Sequence, residues 1–323
     1  MSSGLIRVVL SCSFLFWAML AGAEPQALSP DTTADWSRTL LNASRTQEYN
    51  GVLTVNEGGL QVAYQLWHTV SAEDDTEYEE RMRVLDGPLM ELVRTPERVT
   101  CLHAPGTEVP ADHGVPQSPF ASLMLMDPER LAANYQLWAL GDERLASRAA
   151  RVYELRSQHG EPRLVHRVWV DAETGIALRH RRLAPNGDVL ADVRYVTFSP
   201  DAADVPPGFR TTFAEPFWHQ FEQAEPTRDG GADEVWQLAP APAGFVRLID
   251  EYRNGEWYQL WSDGMVEFSL MVEPVNGEPP EPVMERQGST LLMTAIHGDW
   301  IVALVGDVPD ALARDVLTRV QWQ

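Results

Sequence analysis

The feature that most constrains this chain is a succession of short segments with two-residue alternation, each set off from the next by a turn signal. Between residues 61 and 70, Val62, Tyr64, Leu66 and Val70 alternate with Gln65 and Thr69, the mark of a strand with one apolar face. Residues 49–55 precede it across Glu57-Gly-Gly59 and read as its hairpin partner. Next, Tyr78, Met82 and Val84 share a face opposite Glu79, Arg81 and Arg83, Asp86-Gly-Pro88 turns the chain, and residues 89–94 return. Strand signals resume at 151–157, 164–170 and 176–183, and Pro185-Asn-Gly187 leads into 189–198. Hairpin-linked strands in this order predict one large antiparallel sheet.

Two helices are expected against it. Asp31-Thr-Thr-Ala-Asp35 can cap a helix with Trp36, Leu40, Leu41 and Ala43 or Ser44 at helical spacing, ending near Tyr49-Asn-Gly51. Met126-Asp-Pro-Glu-Arg130 places Asp at the cap and Pro at the first helical position, opening a helix through Leu131, Ala132, Tyr135 and Leu137. Residues 104–119, dense in Pro, Gly and His, read as a long surface loop. Stretches rich in Pro, Gly and acids at 201–208 and 227–242 set the organisation: a domain over 24–205, a linker over 206–243 and a smaller domain over 244–323. In the last, strands at 257–261, 265–272, 291–296 and 300–305 precede an amphipathic helix at 309–320, with Leu312, Val316 or Leu317 and Val320 on one side. The expected class is α+β, a curled antiparallel sheet with helices followed by a small sheet covered by a helix.

The first 23 residues read as a cleaved secretory signal: Arg7, an apolar run from Val8 to Leu20, and Ala21-Gly22-Ala23 before Glu24. The run is shorter than the roughly 20 apolar residues a bilayer span needs. A lipoprotein signal ending at Cys12 fits poorly, because only Leu5 to Leu10, with Arg7 inside, precede it. Cleavage leaves Cys101 as the single cysteine, so packing rather than a disulfide must hold the exported chain together. Its setting, Val99-Thr-Cys-Leu, predicts a buried strand thiol acting as a small hydrophobe.

Charge narrows the function. The chain carries 25 basic residues, all arginine, against 47 acids, a net charge of −22. Such a field repels phosphate backbones and anionic membrane surfaces, so nucleic acid is not expected as a partner. There is no Gly-x-Ser-x-Gly elbow, no His-Glu-x-x-His and no Gly-rich phosphate loop, and the eight histidines are dispersed. No catalytic residue, metal or cofactor is expected. Binding is.

Two C-terminal segments carry a resemblance: Gly264-Met-Val-Glu-Phe-Ser-Leu-Met-Val-Glu-Pro274, and Ile296-His-Gly-Asp-Trp-Ile-Val-Ala-Leu-Val-Gly-Asp-Val-Pro309. With Trp36-Ser-Arg-Thr-Leu-Leu41, Tyr49-Asn-Gly-Val-Leu-Thr-Val55, Tyr64-Gln-Leu-Trp-His68 and Val168-Trp-Val-Asp171, the chain resembles the RseB/MucB family of periplasmic negative regulators of the sigma-E envelope-stress response. The resemblance implies a LolA/LolB-like half-barrel and a smaller partner-binding domain. It also implies a partner, the periplasmic domain of a membrane-bound anti-sigma factor (RseA/MucA-like), which is shielded from proteolysis and released on sensing lipoprotein or lipopolysaccharide. The alternative is a periplasmic lipoprotein carrier of the LolA type. Either would use a groove on the concave face, for which Tyr64, Leu66, Trp67, Trp138 and Trp169 are candidate linings, with core packing as the competing role. Arg179, Arg181 and Arg182 form the one compact basic group, an anion or partner contact or else a solvated strand face. A homo-oligomer is compatible with either reading.

Overall fold

The computed structural model describes residues 24–71, 78–87, 90–96, 98–103, 118–201, 217–222, 236–253 and 255–322. The expected signal peptide and residues 104–117 of the expected loop lie outside them. After β1 (Gln26–Ala27), Ser29 caps α1 (Pro30–Thr46), its hydroxyl accepting from the Thr32 N–H at 3.2 Å, with proline at the first helical position. The cap lies just before the expected Asp31. Strands β2 (Tyr49–Glu57), β3 (Leu60–Val70), β4 (Tyr78–Val84), β5 (Met90–Arg94) and β6 (Arg98–His103) follow as hairpin partners. A short α2 (Ala121–Met124) then leads to α3 (Pro128–Asn134), whose Asp127 cap accepts from the Glu129 and Arg130 N–H groups.

Helix α3 stops three residues earlier than expected. Tyr135 and Leu137 belong instead to β7 (Tyr135–Leu145), where they are buried while Gln136 and Trp138 are partly exposed. The positions that extend the helical spacing also satisfy a period of two, and pairing with β8 (Arg148–Ser157) decides for the strand. Strands β9 (Val165–Asp171), β10 (Ala177–Leu183) and β11 (Val189–Ser199) complete the run, and β12 (Phe217–Glu222), within the stretch read as linker, pairs with β6. The result is a twelve-stranded antiparallel sheet in the order β1-β7-β8-β9-β10-β11-β2-β3-β4-β5-β6-β12. It curls over the helices: Ser44 of α1 and Leu123 of α2 lie together with Leu66 of β3, Ala177 of β10 and Tyr195 of β11 around one small internal void.

The second sheet contains β14 (Val246–Arg253), β15 (Glu256–Ser262), β16 (Glu267–Pro274), β17 (Met284–Gln287), β18 (Thr290–His297) and β19 (Trp300–Gly306), in the order β14-β15-β16-β19-β18-β17. Helix α4 (Asp310–Thr318) covers it through Leu312, Ala313, Val316 and Leu317. Val320, expected on that helix, lies instead in β20 (Val320–Trp322), which pairs with β13 (Trp236–Leu238). Both expectations of strand chemistry hold at Cys101: the thiol is free and fully buried, and burial pushes it up to about 11.

Where β11 crosses β2 the register shifts between Tyr195 and Thr197, and Gly51 lies under the irregularity. A Cβ there would stand 2.2 Å from the Thr197 carbonyl oxygen and 2.9 Å from the Tyr195 ring. Gly51→Ala is expected to destabilise the large sheet by about 1–3 kcal/mol, read as a shifted urea midpoint with unchanged slope; an unchanged midpoint would show that the strands yield freely.

Candidate functional site

Cross-strand register builds one wall of the site. On the inner face, Leu137, Leu155, His166, Arg182, Ala191 and Glu57 stand directly opposite one another in successive strands. The small Ala191 between them lets Arg182 reach Glu57 Oε1 at 3.0 Å, while its other nitrogen donates to Asp307 Oδ2 of the second sheet at 2.5 Å. Thr290 donates to Asp307 at 2.8 Å and Ser289 to Glu57 at 3.1 Å, so this clasp ties the two sheets together. Burial works against the Asp307 carboxylate, but Arg182 and Thr290 outweigh it and hold the group below its ordinary range.

A second contact between the sheets is more deeply buried. Asp263, at the β15–β16 turn, accepts from the Met265 and Val266 N–H groups through Oδ1 and from the Tyr135 hydroxyl at 2.8 Å through Oδ2. Arg163 Nε lies 3.4 Å from Oδ2, and the Arg163 guanidinium sits 4.4 Å from the Phe245 ring centroid and donates to the Ala243 carbonyl. Asn134 donates to the Asp263 and Gly244 carbonyls, and its own side-chain oxygen pairs with His159. Burial pushes the Asp263 carboxyl up despite these donors. Two glycines make this joint possible: a Cβ on Gly264, at φ +97°, would stand 2.7 Å from the Leu131 backbone nitrogen, and one on Gly244 would stand 2.3 Å from the side-chain Oδ1 of Asn134. The Asp127 N–H also donates to the Gly264 carbonyl at 3.0 Å.

Between clasp and joint lies a cleft of about 540 Å³. The large sheet contributes Val55, Tyr64, Met82, Met90 and Leu92, helix α2 and its flanks contribute Ser122 and Leu125, and the second sheet contributes Met265, Glu267 and Asp307. Under it His166 Nδ1 lies 3.1 Å from His180 Nε2, and His180 Nδ1 lies 3.4 Å from the Ser122 hydroxyl. Burial lowers His166 to about 3 and, with His166 and Arg182 adding to it, holds His180 well below its ordinary value. His68, stacked against Tyr49 and Tyr78, is lowered by burial to about 4. Among the described residues no group of three His, Cys, Asp or Glu could hold a metal, and no helix is long and apolar enough to cross a membrane.

The residues singled out from the sequence are divided between the faces of the sheet. Tyr64 lines the cleft and Leu66 the smaller void below it, and Arg182 forms the clasp. Trp138, Trp169, Arg179 and Arg181 do not line the cleft, because alternation turns them to the other face. There, Glu154 holds Arg156 and Arg167, Asp192 holds Arg179 and Arg181, and Arg156 and Arg179 each lie 4.7 Å over the rings of Trp138 and Trp169 respectively. The basic run is therefore engaged within the molecule, Arg179 and Arg181 sharing Asp192 and Arg182 pairing with Glu57 and with Asp307 of the second sheet. Trp67, 9 % exposed, packs under Arg83. Sequence reasoning missed Glu57, Arg163, Asp263, Glu267 and Asp307. Asp263-Gly264, at the edge of one family-like segment, and Gly306-Asp307, within the other, offered a signal as acids beside glycine, and Glu267 lay within the first segment without one.

A family model described as the MucB/RseB N-terminal domain matches residues 32–211, and one described as the MucB/RseB C-terminal domain matches 231–321. The sigma factor AlgU regulatory protein MucB of Pseudomonas aeruginosa is 25% identical over 312 residues, 93% of each chain. The sigma-E factor regulatory protein RseB of Escherichia coli K12 is 23% identical over 259 residues, 74% of this chain and 75% of RseB. The crystal structure of MucB in complex with MucA(peri) superposes with a TM-score of 0.68 at 23% identity, covering 90% of this chain and 99% of that one.

Two outcomes follow from the site. The three histidines have folded values below the unfolded 6.5, so the stability they contribute as neutral groups is present above that pH and lost as pH falls toward 4 and 3. Ring ¹⁵N spectra are expected to show His68, His166 and His180 neutral at pH 5; protonation above pH 6 would contradict their burial. Gly264→Ala is expected to loosen the joint by about 2 kcal/mol or more, splitting the calorimetric unfolding of the chain into two transitions. A single, unshifted transition would show that the joint does not depend on that approach.

Proposed function

The chain belongs to the MucB/RseB family, and from that premise we propose that it binds the periplasmic domain of a membrane-bound anti-sigma factor, shields it from regulated proteolysis and releases it when a lipid-bearing envelope signal binds. The observation that carries this reading is the cleft itself. Its walls come from both sheets, so an occupant touches both sides of the clasp at once. A ligand that favours a different arrangement of the sheets from the one the partner favours weakens the partner, with a coupling on the order of 1–3 kcal/mol.

Other features support the reading. A relative with the same two-part organisation has been crystallised with MucA(peri). The net charge of −22 suits a protein partner better than a polyanionic surface. Residues 1–23, read as a cleaved secretory signal, would carry the chain to the periplasm, beside such a partner. The LolA-type carrier reading is weaker because it assigns no role to the second sheet, which supplies Met265, Glu267 and Asp307 to the cleft.

Calorimetric titration of residues 24–323 with the periplasmic domain of the cognate anti-sigma factor is expected to show tight one-to-one binding, weakened about 5–150-fold when a lipidated ligand is present. Lipid binding without any partner binding would move the assignment to the carrier.

A further inference from the structure

The cleft combines adaptable apolar walls with an excess of negative charge. Met82, Met90 and Met265 line it together with Leu92, and methionine side chains reshape around varied apolar groups. Its volume, about 540 Å³, falls in the range of about 300–1,000 Å³ typical of small-ligand sites. The charged groups on its walls are three carboxylates, Glu57, Glu267 and Asp307, and one guanidinium, Arg182. Arg182 is already shared between Glu57 and Asp307, at 3.0 and 2.5 Å. Among the described residues nothing pairs with the Glu267 carboxylate. Burial and the neighbouring Asp263 both push its carboxyl up, as they do for an acid that lacks a counter-charge.

These facts discriminate between occupants. A phosphorylated headgroup would enter a space where carboxylates outnumber cations and the lone arginine is committed twice, so it would be repelled. A cation on an apolar stem meets the reverse situation: the stem lies along the methionines and the charge reaches Glu267.

We propose that the cleft takes a basic side chain flanked by apolar residues, presented by an extended segment of the protein partner, and that it discriminates against anionic lipid headgroups. The inference rests on the partner-binding reading above and deepens it. The acyl chain of a lipid competes for the same apolar walls, and its headgroup stays outside. Partner and lipid thus overlap on these walls, and the acyl chain weakens the partner's grip without excluding it, in keeping with the finite coupling above.

The test uses residues 24–323 and three single-chain probes of equal length, dodecylammonium, dodecyl phosphate and dodecyl maltoside, each below its micelle-forming concentration, followed by calorimetry. Because the net charge of −22 draws ammonium ions to the whole surface, the readout is the single saturable site that depends on Glu267. Dodecylammonium is expected to bind that site about tenfold more tightly than dodecyl phosphate. Glu267→Gln should weaken it about fivefold while leaving dodecyl maltoside within about twofold. Glu267→Lys, which places a resident cation in the cleft, should abolish the preference for ammonium, and thermal melts of both variants check that they fold. Dodecylammonium should also displace the anti-sigma factor's periplasmic domain. Phosphate binding as well as or better than ammonium would overturn the proposal and assign the cleft to an anionic lipid. Indifference of all probes to Glu267, or no saturable site, would overturn it too. Saturable ammonium binding with no partner binding would leave the chemistry of the cleft standing and remove the partner reading instead.

Discussion

The buried Asp263 carboxylate is the contact on which the relation between the two sheets depends. It closes its own turn through two backbone N–H groups and accepts from Tyr135, the first residue of β7. Against Arg163 it forms an ion pair that is 2 % and 1 % exposed on its two sides. Burying such a pair stabilises little in net terms, and burial pushes the Asp263 carboxyl up, in line with that desolvation cost. Removing one partner is another matter, since the charge left behind costs about 3–5 kcal/mol. The joint therefore fixes geometry more than it adds stability. Gly264 lets its backbone approach that of α3, and Gly244 leaves room for the Asn134 and His159 side chains, where any other residue would collide.

The cleft is a consequence of that geometry. With the sheets held together at Asp263 and tied again at Arg182, the apolar inner face between them is only partly filled by the helices. The two ties are unequal: Asp263 and Arg163 are almost fully buried, whereas the carboxylates that Arg182 bridges are 31% and 21% exposed. Solvent screens the clasp more than the joint. An occupant of the cleft touches all three charged groups of the clasp, Glu57, Arg182 and Asp307, but of the joint only Met265 and Val266 and not Asp263, Arg163 or Tyr135, so binding acts first on the weaker of the two ties.

Much of the fold was legible in the sequence because sheets write their faces at a period of two. Tyr64 and Leu66 against Gln65 gave β3, Pro185-Asn-Gly187 gave the β10–β11 turn, and Asp127-Pro128 gave the start of α3. Where a segment satisfies both periods, as at Tyr135 and Leu137, the choice is made by the neighbouring strand β8, which local sequence does not contain. The site was less legible for the same reason. The alternation that separates Arg182 from Arg179 and Arg181 was available, but the facts that Asp192 pairs with two of these arginines and Asp307 claims the third belong to pairing across the sheet and between sheets. Glu57 reads as turn punctuation and Glu267 as one acid among 47. Only their convergence on one cleft marks them out.

The central claim is that the partner occupies the space between the sheets. Amide hydrogen exchange of residues 24–323, free and saturated with the anti-sigma factor's periplasmic domain, tests it most directly. Added protection is expected in β16 and β19 around Glu267 and Asp307 together with α2 and the inner-face ends of β4 and β5. Protection confined to the outer face around Trp138, Trp169 and Asp192, with the cleft strands unchanged, would contradict the account.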